Sequence, residues 1–146
     1  RQLDRVMGYV GDATAQRVVG GERVGERGYL LHPTVFRDVP EDSPIANEEI
    51  FGPVLSAFKF DDEDEVIRRA NSSRFGLAAG VWTNHLGRAH RMAAALKAGV
   101  VWINTYDWFD PAVPFGGTGA SGYGRELGTQ VMDNYTELKS VWVKVE

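Results

Sequence analysis

The apolar positions at the start of the chain change from a helical to an extended pattern. The first of them recur at the spacing of one helix face, at Leu3, Val6, Met7 and Val10. This spacing predicts a short amphipathic helix. Clustered glycines between residues 17–19 and 29–31 predict a hairpin formed by these two runs. Val35–Phe36 is predicted to be a short strand, and Pro40 closes it.

From residue 54 onward, apolar runs alternate regularly with helical patterns. Three runs predict strands, at residues 54–60, 78–83 and 100–103. Asp62 and Glu65 form a capping-box pattern that starts the first intervening helix, and Asn84 and Gly99 mark the start and end of the second. Strands that alternate with helices predict an α/β fold, with an open, mainly parallel sheet and flanking helices.

The chain is predicted to end in a helix at residues 126–134 and a strand at residues 140–145. Valines at every second position of this strand, residues 141, 143 and 145, give it one apolar face. Such a strand either pairs with another segment or subunit, or forms a lysine-protected edge of the same sheet. The alternation alone leaves both interpretations open.

Composition and charge narrow the classes of function. Sixteen Lys and Arg against 20 Asp and Glu give a net charge of −4, which argues against a binder of the nucleic-acid backbone. No apolar run approaches the roughly 20 residues of a membrane helix, and no signal-peptide pattern opens the chain. These features predict a cytoplasmic protein that binds neither nucleic acid nor membrane.

The chain of 146 residues contains no cysteine. Disulfides, thiolate metal sites and a thiol nucleophile are therefore excluded within it. It also begins at Arg1 rather than at a methionine, which suggests a fragment of a longer protein.

A glycine-rich motif at residues 117–122 matches the G-x-G-x-x-G dinucleotide fingerprint. Prolines rather than a clear strand precede it, and only 24 residues follow it. A turn that brings the backbone close to a ligand or another loop is therefore the favoured interpretation. Ser121 within the motif is not expected to be a nucleophile, because Tyr123 breaks the G-x-S-x-G elbow.

No metal site is predicted. His85 and His90 are five residues apart, which does not place two ligands on one helix face. The acidic run at residues 61–65 stands at a predicted helix start, where negative charge complements the helix dipole.

Two segments remain as candidates for ligand binding. Glu49 stands two residues before Phe51 in a turn that Gly52–Pro53 holds. A carboxylate can accept hydrogen bonds from a vicinal diol, and a nearby ring can pack on a flat heterocycle. The loop at residues 104–115 carries four aromatic residues beyond the carboxyl end of a buried strand, where α/β sheets bind ligands.

Taken in order, several segments of the chain closely resemble the C-terminal portion of the aldehyde dehydrogenase superfamily. They are Gly28–Tyr29, Pro33–Phe36, Glu48–Val54, Trp102–Asn104, Pro114–Gly117, Ser121–Gly122, Gly124–Gly128 and Tyr135–Lys139. The resemblance implies oxidation of an aldehyde to a carboxylic acid with NAD or NADP. In the family a cysteine thiolate attacks the aldehyde and a glutamate activates the water that releases the acid. Both residues are expected upstream of this chain.

The resemblance also implies roles for individual residues. Glu49 matches the family's contact to the nicotinamide ribose, and Phe51 matches the aromatic residue beside the ring. The substrate-tunnel aromatics correspond to Trp108, Phe109 and Phe115. Glu126 matches a glutamate that some members use in a proton relay.

The resemblance divides the chain into a partial catalytic domain at residues 1–136 and an oligomerisation strand at residues 137–146. The cofactor-binding half and the catalytic cysteine segment are then absent, and the chain alone is expected to be inactive. Its partners would be the rest of the enzyme, an aldehyde and further subunits of a homo-oligomer. The alternative hypothesis is a non-catalytic assembly module that pairs through the terminal strand.

Overall fold

A computed structural model describes residues 1–11 and 14–146 of the chain, and these residues form two compact units, Arg1–Asp61 and Asp62–Glu146. The elements of the first unit are α1 (Gln2–Val10), β1 (Gln16–Val19), β2 (Thr34–Arg37), α2 (Pro44–Asn47) and β3 (Val54–Ala57). Strand β2 pairs antiparallel with β1 and parallel with β3. The amphipathic helix at the chain start is confirmed.

The core of the first unit lies between α1 and the strands. Its buried side chains are Val6, Val10, Phe36, Val39, Ile45 and Ile50. Two of these come from the apolar face of α1, as its three- and four-residue spacing predicts. Phe36 is almost wholly buried in the middle of β2. This core fixes the helix against the segment that leads into β3.

The predicted hairpin is shifted along the chain. The Val24 amide donates to the Leu30 carbonyl at 2.9 Å, and the His32 amide donates to the Glu22 carbonyl at 3.0 Å. Residues 16–19 instead pair with β2. The chain turns away after β1 because Gly20 and Gly21 both adopt positive φ, a conformation that other residues rarely take.

The second unit contains α3 (Glu63–Ala70), β4 (Phe75–Gly76), β5 (Ala78–Val81), α4 (Leu86–Ala95), β6 (Val100–Ile103), β7 (Thr118–Gly119) and a 3₁₀ helix (Thr129–Asn134). Strands β5 and β6 pair in parallel across α4, with Gly80 opposite Trp102. Strands β4 and β7 form a separate antiparallel pair. The parallel crossover predicted from the second and third apolar runs is therefore confirmed.

The α/β class is confirmed, but the single open, mainly parallel sheet is not what the described residues form. Their strands fall into three sheets, and two of the four strand pairs are antiparallel. In particular, β3 and β5 belong to different sheets. The pattern of apolar runs finds the strands, but it carries no information about which edges meet across long sequence separations.

Helix boundaries agree with the sequence where local hydrogen bonds set them. The Asp62 carboxylate accepts a hydrogen bond from the Glu65 amide at 2.7 Å, so the predicted cap of α3 is confirmed. The predicted cap of α4 at Asn84 is wrong, since the N-cap residue is His85. Gly99 also does not end that helix, whose C-cap is Leu96.

The end of the chain differs most from its predicted elements. The predicted α-helix at residues 126–134 is a 3₁₀ helix that begins only at Thr129. Leu127 and Gly128 precede it with φ of +60° and +58°, and left-handed residues cannot continue a right-handed helix. Residues 136–146 are exposed and carry no strand within the described chain. No helix among the described residues is long and apolar enough to cross a membrane.

An ion pair connects α3 to α4. The Arg91 guanidinium donates two hydrogen bonds of 2.9 Å to the two oxygens of the Glu63 carboxylate. Arg88 adds a contact of 3.5 Å to the same carboxylate. The hydrogen bonds from Arg91 hold the pKa of Glu63 below its ordinary range, because they favour the ionised form. A bidentate pair of this kind fixes the orientation of both side chains.

We predict that this pair stabilises the fold at neutral pH and loses its effect in acid. A group whose pKa is lower in the folded state than in the unfolded state stabilises the fold at pH values above its unfolded-state pKa, which is about 4.3 for glutamate. This stabilisation is lost as the pH falls through the folded-state pKa. Glu63→Gln should therefore lower the denaturation midpoint near neutrality but not in acid. Urea titrations across pH measure this difference. A difference in denaturation midpoint between Glu63→Gln and the wild type that stays constant with pH would contradict the prediction. Asp64→Asn, on the same helix, is the control.

Candidate functional site

The first group of predicted site residues lies on the loop between α2 and β3. Ile50 is buried in the core, whereas Glu49 before it and Phe51 after it are exposed. The Phe51 ring is 73% exposed, and its backbone has a φ of +55°. Positive φ is unfavourable for a bulky residue and is held only by its surroundings. The loop therefore presents a carboxylate and a ring on a backbone that the fold constrains.

Among the described residues, one of the two adjacent carboxylates on this loop has a side-chain partner and the other has none. The Tyr9 hydroxyl donates to Oε2 of Glu48 at 2.6 Å. Within the described parts of the chain, the Glu49 carboxylate has no hydrogen bond or ion pair, although its backbone carbonyl accepts one from Arg5. Glu49 is thus the carboxylate that is available to a ligand.

A cavity of about 610 Å³ opens beside Phe51 within the first unit. Its walls are Arg1, Gln2, Leu3, Val6, Tyr29, Leu30, Leu31, Phe51, Gly52 and Pro53. Most of these are apolar, and the volume lies in the range of small-molecule sites. The exposed face of the Phe51 ring therefore borders a concave surface.

The second group of predicted site residues begins where β5 and β6 end. The Asn104 side chain accepts a hydrogen bond from the Thr83 amide and donates one to the Thr83 carbonyl, both at 2.9 Å. It thus extends the pairing of the two parallel strands beyond their last residues. Asn104 has a φ of +55°, which asparagine tolerates better than most residues. The loop that follows leaves from the carboxyl edge of the sheet, as predicted.

Aromatic rings beyond this edge form a contiguous cluster. Trp102 packs edge-on against Tyr106 and Phe109, at centroid distances of 5.1 and 5.8 Å. Phe109 packs edge-on against Phe115 at 4.9 Å. Edge-to-face contacts at these distances are favourable, because the positive edge of one ring meets the negative face of another. The structure therefore brings two of the predicted tunnel residues, Phe109 and Phe115, into direct contact.

Trp108 joins this cluster through its backbone. Its carbonyl accepts a hydrogen bond from the Trp102 indole N–H at 2.8 Å, and the residue as a whole is 74% exposed. This hydrogen bond holds the loop against β6, and the Trp108 side chain remains exposed to solvent. This residue is the most exposed of the three predicted wall residues, ahead of Phe109.

Glu126 lies next to the cluster through a backbone bridge. The amides and carbonyls of Phe115 and Glu126 exchange two hydrogen bonds of 2.7 Å. The Glu126 side chain is exposed. The bridge fixes its position relative to Phe115, and a proton-relay role for this residue stays a prediction.

Sequence reasoning missed Trp82 as a member of the aromatic group. Its ring lies 6.3 Å from that of Tyr106. A side chain at Gly80 would collide with it, because an added Cβ would come within 2.6 Å of the Trp82 ring. A signal was present, since Trp82 directly follows β5 and the carboxyl ends of parallel strands share one edge.

The glycine-rich motif forms a turn and not a phosphate-binding loop. Thr118 and Gly119 are strand β7, and no α-helix follows Gly122 among the described residues, where the next helical element is the 3₁₀ helix that begins at Thr129. Ser121 accepts a hydrogen bond from the Gly76 amide at 3.1 Å, which is a structural role. A Cβ added to Gly99 would collide with the carbonyl oxygen of Gly116. The glycines thus allow backbone to approach backbone, as the favoured interpretation stated.

Metal-ligand groups show no clustering in the described parts of the chain. His85 and His90 are exposed, and no three histidine or carboxylate side chains there could hold an ion. Within the acidic run, Asp62 is a helix cap and Glu63 pairs with Arg91.

The sequence profile of the aldehyde dehydrogenase family matches residues 1–141. The chain belongs to this family. It is 49% identical over 144 residues to aldehyde dehydrogenase family 2 member B4, mitochondrial, of Arabidopsis thaliana, and covers 27% of that protein. It is 50% identical over 143 residues to the mitochondrial benzaldehyde dehydrogenase of Antirrhinum majus, again covering 27%. These alignments include 97% and 96% of the present chain.

Solved structures agree with the sequence comparison. The NAD⁺ complex of the aldehyde dehydrogenase from Bacillus cereus superposes with a TM-score of 0.93 at 52% identity, and the alignment covers 99% of this chain and 30% of that one. The chain therefore spans less than a third of the length of these relatives.

Proposed function

We propose that this chain forms the later part of the catalytic site of an NAD(P)-dependent aldehyde dehydrogenase that oxidises an aldehyde to a carboxylic acid. Residues 1–136 would belong to the catalytic domain, as part of an open, mainly parallel sheet completed by the rest of the enzyme. The Glu49–Phe51 loop carries this proposal, because it exposes a carboxylate and a ring on a constrained backbone. The NAD⁺ complex of the B. cereus relative supports the choice of cofactor.

The residues of the loop suit the nicotinamide end of a dinucleotide. No described residue binds the exposed Glu49 carboxylate, so it can accept hydrogen bonds from the two hydroxyls of a ribose. The Phe51 ring is exposed and can pack on a flat heterocycle. NAD(P), when bound, supplies the hydride acceptor of the oxidation. This chain would orient the nicotinamide, and correct orientation of reacting groups lowers an activation barrier by several kcal/mol.

The thiolate that attacks the aldehyde has to come from elsewhere in the enzyme, because these 146 residues include no cysteine. The chain would contribute the wall around the substrate instead. Trp108, Phe109 and Phe115 supply exposed or partly exposed aromatic surface at the carboxyl edge of β6. Glu126 is placed beside this wall by its bridge to Phe115, and there its carboxylate would relay a proton.

The alternative of a non-catalytic assembly module is not supported. The relatives that match the chain from end to end are named as dehydrogenases. Assembly would accompany catalysis, through the terminal segment at residues 137–146.

We predict that Glu49→Gln in the full-length enzyme slows hydride transfer more than it weakens adenosine binding. Gln retains the shape of the side chain but loses the charge that strengthens hydrogen bonds from the ribose hydroxyls. Hydrogen bonds to charged groups contribute about 1.5–3 kcal/mol, so a roughly tenfold or greater loss in the single-turnover rate is expected. Rapid-mixing measurements of NADH formation test this, and an unchanged rate would exclude the assignment of Glu49.

Two controls accompany that experiment. Glu26→Gln changes an exposed glutamate of the same unit and should leave the rate unchanged. The isolated 146-residue chain should form no NADH, because it lacks a thiol nucleophile. Turnover by the isolated chain would refute the proposed division of the active site.

We predict that Trp108→Ala and Phe109→Ala change the aldehyde preference of the full-length enzyme. Removing a ring from an apolar wall weakens binding of aromatic substrates and of quaternary ammonium groups held by cation–π contacts, with less effect on short aliphatic aldehydes. The ratio of kcat/KM between these classes should shift by about tenfold or more. Phe60→Ala, an exposed ring of the first unit, is the control. An unaltered substrate profile would contradict the role of the wall.

We predict that the terminal segment pairs with a strand of another subunit. Its residues are exposed, form no strand in the described chain and alternate between apolar and polar, so their backbone groups could pair with a strand of another subunit. Val143→Pro removes a backbone donor and should shift the enzyme toward smaller species, whereas Val143→Thr keeps the β-branch and should not. Analytical ultracentrifugation distinguishes these species. An unchanged mass for Val143→Pro would argue against pairing through this segment.

A further inference from the structure

Helix α1 turns one polar face toward the Glu49–Phe51 loop. Gln2, Arg5 and Tyr9 lie at positions i, i+3 and i+7, which share one side of a helix. They contact four consecutive loop residues in reverse order. Tyr9 donates to the Glu48 carboxylate at 2.6 Å, and Arg5 donates to the Glu49 carbonyl at 2.9 Å. Gln2 donates to the carbonyls of Ile50 and Phe51 at 3.4 and 3.0 Å.

The apolar face of the same helix holds the loop from beneath. Val6 and Val10 share a buried cluster with Ile50. At Gly52 the backbone approaches α1 so closely that an added Cβ would lie 2.7 Å from a methyl carbon of Val6. The segment from residue 48 to residue 52 is therefore fixed by α1 through both polar and apolar contacts.

These contacts act where the loop backbone is least favourable. Phe51 adopts positive φ, and its carbonyl accepts the hydrogen bond from Gln2. The carbonyls of Glu49 and Phe51 belong to exposed residues, so water could also satisfy them. A side chain that donates to such a carbonyl in place of water also fixes the position of the carbonyl, because the side chain is anchored to a helix.

We infer that Gln2, Arg5 and Tyr9 are positioning residues, which hold the Glu49–Phe51 loop in the geometry needed for hydride transfer. This inference rests on the proposed function of Glu49. Tyr9 has a specific part, because its hydroxyl occupies the Glu48 carboxylate and leaves the adjacent Glu49 carboxylate for the ribose. Arg5 and Gln2 hold the backbone carbonyls on either side of the buried Ile50 side chain.

The test is Tyr9→Phe in the full-length enzyme, which removes one hydroxyl and keeps the ring. The single-turnover rate of hydride transfer is expected to fall about fivefold, as for the loss of one hydrogen bond, with the KM for aldehyde unchanged. Tyr123→Phe removes the hydroxyl of a fully exposed tyrosine in the second unit and should have no effect. A wild-type rate for Tyr9→Phe would overturn the inference.

A double-mutant cycle separates positioning from general stabilisation. If Tyr9 acts through Glu49, Tyr9→Phe should slow the enzyme much less in the Glu49→Gln background than in the wild type. Equal effects in both backgrounds would mean that Tyr9 acts independently of Glu49, and the inference would fail. A normal rate for Glu49→Gln alone would instead refute the proposed function, so the two failures are distinguishable.

Arg5 provides a second test that does not depend on the hydroxyl. Arg5→Ala should slow hydride transfer, and Arg5→Lys, which retains a charged donor, should restore most of the rate. Thermal unfolding of both variants reports on folding. Equal rates for the Ala and Lys variants would show that the donor at this position does not position the loop.

Discussion

Burial of Ile50 determines where the Glu49 carboxylate and the Phe51 ring lie. Its side chain belongs to the core that α1 and the first sheet share, so the residues on either side are carried to the surface. Burying such a side chain contributes roughly 1.5–3 kcal/mol, which makes alternative registers of the loop unfavourable. The strained backbone of Phe51 is tolerated because this anchor and the contacts from α1 surround it. The chemistry proposed for the loop depends on this one apolar contact.

In the second unit, polar groups at the ends of strands hold the loop that carries the aromatic rings in place. Asn104 joins the ends of β5 and β6 through two hydrogen bonds, and the Trp102 indole binds the Trp108 carbonyl. The loop that carries the exposed rings is therefore held to the edge of the sheet by hydrogen bonds. Sites built on rigid elements hold their side chains more accurately than sites on free loops.

Local patterns in the sequence predicted local structure well. The periodicity of α1 and the Asp62 cap were confirmed, because each depends on residues within one or two turns of helix. The start of α4 was wrong by one residue. The hairpin was shifted, and the single sheet is not what the described residues form, since both depend on contacts between distant segments. The roles of Tyr9 and Trp82 were missed for the same reason. Glu49 and Phe51 were first proposed from their spacing in the turn at Gly52–Pro53, and the resemblance added the roles proposed for them.

The close approach of Gly99 and Gly116 has a consequence for which residues of this chain can be exchanged. Neither position has room for a side chain, so the base of the aromatic loop is closed to variation. The ring positions above it, such as Trp108, are exposed and carry no comparable restriction. Substitutions at these exposed rings can therefore alter the proposed substrate wall one residue at a time, while the backbone approach at Gly99 and Gly116 stays unchanged.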